Sequence, residues 1–319
     1  MPSFIVCHRG ALGDFLLTWP ALTALRAMLR GHRFIGVGHP SYLRLAKFYG
    51  LLDTVLDMEA AAMSAFFAGR SLPPTLEQPD GGVLWLADGE GAAALLRAQA
   101  SLPVVLLPPV PSPPLHVSVS HWLALRAHFS ICAPPAVPDY PTKTRQRDVT
   151  LIHPGSGSPR KNFSPPFYRR AAEELQQREG GRVMIILGPV ERERGMEQDS
   201  PGCQLVAPPN LEALVGVLSG ASLYIGNDAG ASHLAGLMGI PTVAIYKSTD
   251  PAVWGVLGRY VAHVSASTEV AALAGIRACL SSGQICKVLD GAPPDVVCGQ
   301  QLRQAVPWCL QHAEKEEQS

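Results

Sequence analysis

Apolar residues along this chain fall into two alternating patterns. Short runs are rich in valine, isoleucine and leucine, and longer stretches repeat an apolar position every three or four residues. The first pattern suits buried strands and the second suits helices with one face turned to a core. In the first half, the runs at 4–8, 34–38, 55–57, 83–87 and 104–107 predict strands. Helices are predicted at 14–30, 41–48, 60–68, 91–99 and 118–128, the first being the clearest through Leu16, Leu17, Leu22, Leu25 and Leu29. Between 133 and 148 the pattern stops, because Pro134, Pro135, Pro138 and Pro141 disrupt both helix and central strand, so this stretch is expected to link two domains. The alternation then resumes, with strands at 149–153, 183–187, 204–206, 223–226 and 242–246. The helices of this half are expected at 165–178, from Glu191, at 211–219 and 231–238, and at 300–317, which ends in a charged tail. No repeat at a solenoid period is present. Strand and helix in strict succession predict an α/β fold built on parallel sheets.

A length of 319 residues suits two domains, and 47% apolar against 16% charged residues favours well-buried cores over extended disorder. The 26 basic and 26 acidic residues cancel, so no global field gathers nucleic acid or an anionic membrane, and phosphate binding has to be local. No nucleic-acid partner is expected. The first seven residues lack a basic leader pattern, and no apolar run reaches the roughly 18 residues of a membrane span, so a cytoplasmic location is expected. Seven cysteines without a C-x-x-C pair point to reduced thiols. Cys279, Cys286, Cys298 and Cys309 fall near His312, but their spacing matches no common zinc pattern, and no metal site is expected.

In open parallel sheets, ligands meet the loops beyond the carboxyl ends of strands. Directly after the first predicted strand comes Arg9-Gly10-Ala11-Leu12-Gly13-Asp14. Its glycines permit a tight turn, and Asp14 opens the helix where N–H groups and the helix dipole favour a carboxylate; a helix cap and nothing more is the plainer alternative. A dinucleotide fingerprint is absent. The second loop is His153-Pro154-Gly155-Ser156-Gly157-Ser158-Pro159-Arg160-Lys161-Asn162. Ser156 and the amides around Gly157 can hold phosphate oxygens, and Lys161 adds a positive charge, which makes a diphosphate cradle; a solvated surface loop is the plainer alternative. No G-K-[ST] closes it, which disfavours an ATPase. The third is Gly226-Asn227-Asp228-Ala229-Gly230-Ala231-Ser232-His233. Here a helix N-terminus offers the N–H groups of Ala229, Gly230 and Ala231 to an anion. Asp228 suits such a place if it bonds sugar hydroxyls or fixes the loop amides, and His233 can either donate to a phosphate or simply pack.

In order along the chain, these loops resemble those of glycosyltransferase family 9, the lipopolysaccharide heptosyltransferases that use ADP-heptose. The resemblance rests on GALGDFLLTWPALTALR at 10–26, IHPGSGSPRKNFSPPFY at 152–168 and YIGNDAGASHLAGLMGIPTVAIYKSTDPAVWG at 224–255. It implies a GT-B fold, with two Rossmann-like domains facing a cleft. On that basis residues 1–140 would bind the acceptor, 141–299 the nucleotide sugar, and the helix within 300–319 would return to the first domain. Asp14 matches the family's proposed base and Lys161 its diphosphate-binding lysine. Ser156 and Gly157 fall at donor phosphate contacts, Asp228, Gly230 and His233 match the donor loop, and Glu191 matches a ribose contact. The chain departs from the family in having Ala229 where threonine is usual, Lys247 where glycine is usual, and only a loose echo of a cysteine-rich segment before the last helix.

The reaction so implied is a single displacement that inverts the anomeric carbon. Asp14 would accept the proton of the acceptor hydroxyl, while Lys161, the 156–158 loop and the helix start at 229–231 stabilise the departing ADP without an obligatory metal or other cofactor. The partners implied are an ADP-sugar donor and a glycan or glycolipid acceptor of the lipopolysaccharide-core kind. A lipid-linked acceptor would bring the protein to the cytoplasmic face of the inner membrane. A non-catalytic nucleotide-sugar binder and a sugar-nucleotide epimerase of like architecture are the rival readings. The carboxylate at Asp14 argues against the first, since a pure binder needs no base there.

Overall fold

The computed structural model describes residues 1–131 except 77 and 111–114, residues 149–193 except 180, residue 195, and residues 204–281. The predicted linker at 133–148, the predicted helix at 300–317, and Cys286, Cys298, Cys309 and His312 lie outside the described residues. The chain divides into two compact units, Met1–Pro138 and Asp139–Ser319.

The first unit alternates β1 (Ser3–His8), α1 (Leu12–Met28), β2 (Arg33–Gly38), α2 (Pro40–Phe48), β3 (Thr54–Asp57), α3 (Ala61–Phe67), β4 (Pro79–Trp85), α4 (Glu90–Arg97), β5 (Val104–Leu107) and α5 (Val117–Phe129). Its five strands are all parallel and lie in the order β3-β2-β1-β4-β5. Ile5, Cys7, Val37 and Leu84 on one sheet face meet Met63, Phe66, Ala92 and Leu96 from α3 and α4. Helix α1 is buried on nearly every side, with Phe15, Leu16, Leu17, Trp19, Leu22 and Leu25 all inside. It runs through Pro20, which removes one internal hydrogen bond, and its packing on the sheet and α5 outweighs that loss. Strand β4 starts at Pro79, earlier than the predicted 83, because pairing with β1 continues to Ser3 opposite residues that carry no apolar signal.

The second unit contains β6 (Val149–His153), α6 (Pro165–Glu179), β7 (Arg182–Ile186), α7 (Pro189–Glu193), β8 (Gln204–Val206), α8 (Leu211–Ser219), β9 (Leu223–Asn227), α9 (Gly230–Leu237), β10 (Thr242–Tyr246), α10 (Pro251–Trp254), β11 (Val261–Ser265) and α11 (Glu269–Ser281). Its six parallel strands lie in the order β11-β10-β9-β6-β7-β8, the doubly wound arrangement of dinucleotide-binding folds. Ile152, Ile225, Val243 and Ile245 pack under Phe167, Ala171, Leu273 and Ile276 from α6 and α11. The last three elements were not predicted. Strand β11 is a sheet edge of sequence Val-Ala-His-Val-Ser, whose polar positions and partial exposure weaken the apolar run. Among the described residues no helix is long and apolar enough to cross a membrane.

Candidate functional site

In the second unit the winding reverses between β6 and β9, so the loops at their carboxyl ends flank the switch point where such sheets take ligands. Asn227, at the end of β9 and fully buried, ties the two loops together. Its Nδ2 donates to the Pro154 carbonyl at 2.7 Å and to Asn162 Oδ1 at 3.1 Å, while its Oδ1 accepts from the Tyr168 hydroxyl at 2.9 Å. The Tyr168 oxygen in turn accepts the Phe163 N–H at 3.0 Å. Burial pushes the Tyr168 pKa up to about 12, so the hydroxyl remains a donor.

Held by that network, a single 3-10 turn over Pro159–Lys161 sends the Lys161 ammonium to Asp228 Oδ2 at 2.6 Å. The same oxygen accepts from the Thr249 hydroxyl at 2.7 Å, and His233 Nε2 stands 3.6 Å from the other oxygen. Burial acts to raise the Asp228 pKa, but His233 and Lys161 outweigh it and hold the carboxyl well below the usual range. Loops from β6, β9 and β10 therefore converge on one buried carboxylate. Beside it, Ala229 is the N-cap of α9 and offers no side-chain cap, so Gly230 and Ala231 begin the helix with the N–H end open to an outside acceptor. The helix is held at this height by backbone contact, since a Cβ on Gly236 would lie 2.5 Å from the Leu257 carbonyl.

The remaining expected residues take distinct places. The Ser156 hydroxyl is turned inward, toward the Ser158 carbonyl at 2.7 Å and Asn162 Oδ1 at 2.6 Å. Gly157 is exposed, and a Cβ there would meet nothing within 4 Å. Glu191, in the first turn of α7, is buried and accepts the Gly188 N–H at 2.9 Å, with His153 Nε2 at 3.8 Å. Burial works against its charge, but His153 and the Gly188 N–H prevail and keep its pKa below the ordinary value. Its carboxyl lies so close behind Gly155 that a Cβ there would come within 1.9 Å of Oε1. Lys247, the departure from the family pattern, donates to the Asn162 carbonyl at 2.8 Å and lies 5.1 Å from the Phe163 ring centre. Sequence reasoning did not single out Asn227, Asn162, Tyr168 or Thr249. The one available signal was an asparagine ending a wholly apolar strand, a position where a buried amide has to find partners.

In the first unit the reversal lies between β1 and β4, and the loop after β1 carries Asp14. Asp14 is the third residue of α1, and its Oδ2 accepts the Ala11 N–H at 3.3 Å, so it does cap the helix. Asp14 and Lys161 belong to different units. Among the described residues no cluster of three His, Cys, Asp or Glu is arranged to hold a metal ion.

The description "glycosyltransferase family 9 (heptosyltransferase)" fits residues 119–277, from α5 through β6 into α11. Lipopolysaccharide heptosyltransferase 1 of Pseudomonas aeruginosa is 28% identical over 107 residues, 33% of this chain; the match spans only 30% of that enzyme's length. Among solved structures, Escherichia coli heptosyltransferase WaaC with ADP superposes with a TM-score of 0.66 at 18% identity, over 89% of this chain and 99% of that one. A family 9 glycosyltransferase from Veillonella parvula gives 0.67 at 16% identity, over 98% of each. At such identities the structures establish the fold, an α/β chain with two parallel sheets of GT-B type. Residues 119–277 are thus a glycosyltransferase family 9 domain, within a chain of GT-B fold.

Proposed function

We propose that the protein transfers a sugar, a heptose, from an ADP-linked donor to a glycan or glycolipid acceptor of the lipopolysaccharide-core kind, with inversion at the anomeric carbon. The observation that carries this reading is the convergence of Lys161 and Asp228 at the switch point of the second sheet, beside the open N-terminus of α9. Such a place suits a diphosphate: helix N–H groups and an ammonium meet the charge that grows on the leaving ADP, and they meet it most strongly in the transition state. Asp228 suits the sugar hydroxyls, and Glu191, behind Gly155, suits the ribose side. In the first unit Asp14 is the base that takes the proton of the acceptor hydroxyl. A lipid-linked acceptor would hold the protein at the cytoplasmic face of the inner membrane.

Titrating ADP, UDP, GDP and CMP tests the donor half of this reading, with ADP expected to bind most tightly. Equal affinity for all four defeats it. Asp14→Asn tests the other half: sugar transfer is lost while ADP affinity stays at the wild-type value. Turnover at the wild-type rate in that variant removes Asp14 as the base. Product formed from the donor alone, without acceptor, would mark an epimerase instead.

A further inference from the structure

His8 is the last residue of β1, two positions before Gly10. Its ring is buried, with Phe15 of α1 at 5.1 Å and Trp85, its register partner on β4, at 6.3 Å between centroids. Trp85 is itself anchored, its indole N–H donating to His121 Nδ1 of α5 at 3.1 Å. Inside this aromatic frame His8 Nδ1 accepts the Gly10 N–H at 3.2 Å, so the proton of the neutral ring sits on Nε2. That Nε2 has no hydrogen-bond partner among the described residues. Burying an unpaired donor is costly, and an apolar side chain would fill the same space without that cost. The polar atom that repays its presence is Nδ1, and what it holds is the turn of Gly10. That turn abuts Asp14: a Cβ on Gly10 would come within 2.8 Å of His8 Cε1 and 3.3 Å of Asp14 Oδ2.

We infer that His8 is a positioning residue, whose Nδ1 fixes the Gly10 N–H and through it the turn on which the Asp14 carboxylate is mounted. The inference rests on the reading of Asp14 as the base. Burial, with the neighbouring His121 as a smaller cause, lowers the His8 pKa to about 3, so the ring keeps Nδ1 as an acceptor at any pH where the enzyme works.

Three variants test this in the intact chain. His8→Leu keeps apolar bulk but removes the acceptor; kcat is expected to fall on the order of 10- to 100-fold, with acceptor KM and ADP affinity unchanged. His8→Asn places an amide oxygen where Nδ1 stood and is expected to recover most of that loss. Gly10→Ala reaches the same contact from the exposed side and is expected to lower kcat likewise, which keeps the test open if His8→Leu does not fold. Wild-type kcat in folded His8→Leu or in Gly10→Ala overturns the inference, and so does equal loss in the Leu and Asn variants. If Asp14→Asn is inactive while His8→Leu matches wild type, only the positioning role fails. If Asp14→Asn is active, the reading of the base fails and takes this inference with it.

Discussion

At the residue scale, the loops after β6 and β9 are governed by two carboxylates that sequence alone describes poorly. Lys161 was legible as the cation of a small-residue loop, and Asp228 as an acid oddly placed beside an anion site. Their contact was not, because it joins positions 67 apart in the chain and depends on the order of the strands. Lys161→Ala removes the ammonium and leaves Asp228 buried with Thr249 and His233 alone. ADP affinity and turnover should both fall, turnover by roughly 100- to 1,000-fold if the lysine serves the leaving group. An unchanged ADP titration would count against the cradle. Gly155→Ala probes the second carboxylate: no methyl fits 1.9 Å from Glu191 Oε1, so the loop or the acid has to move. Nucleotide binding is expected to weaken at least tenfold, measurable by calorimetry. A variant with wild-type affinity would show that the loop yields without consequence.

Elements were the most legible level, for a physical reason. Strands covered by helices on both faces are apolar throughout, and each of the ten runs identified in the sequence is a strand here. What escaped was β11 and the two helices around it, where an exposed edge dilutes the pattern. Also hidden was the way separate elements share one polar residue. Asn227 holds β9, the loop after β6 and, through Tyr168, the helix α6. Asn227→Leu leaves the Pro154 carbonyl and the Tyr168 hydroxyl buried without this partner, at about 1–3 kcal/mol for each such group. Denaturant unfolding should report a loss of at least about 2 kcal/mol, and nucleotide binding should weaken with it because both loops lose their tie. A stable variant that binds nucleotide normally would show that the loops are set by other contacts.

At the scale of the whole molecule, two parallel sheets wound in the same sense each offer one switch point, and each carries chemistry-bearing loops there. The first unit also buries His8 and His121 in neutral form, with pKa values lowered to about 3 and about 4, chiefly by burial. Unfolding lets each ring take a proton below its ordinary value of 6.5. Their contribution to stability is therefore complete above that pH and is lost as pH falls toward the folded values. Each histidine should cost about 2 kcal/mol by pH 5. Urea unfolding followed by tryptophan emission, with Trp19, Trp85 and Trp122 in this unit, should show the decline between pH 7.5 and 5; a flat profile would contradict it. The winding order has a practical consequence as well. Because every strand in a sheet points the same way, each unit gathers the loops that leave its strands on one rim and, opposite it, the turns that lead into them. Gly31, ahead of β2, has open space where a side chain would stand, and Gly220, ahead of β9, has only ordinary contact. Fluorophores attached at those two turns would therefore label each unit while leaving the loops of the opposite rim untouched.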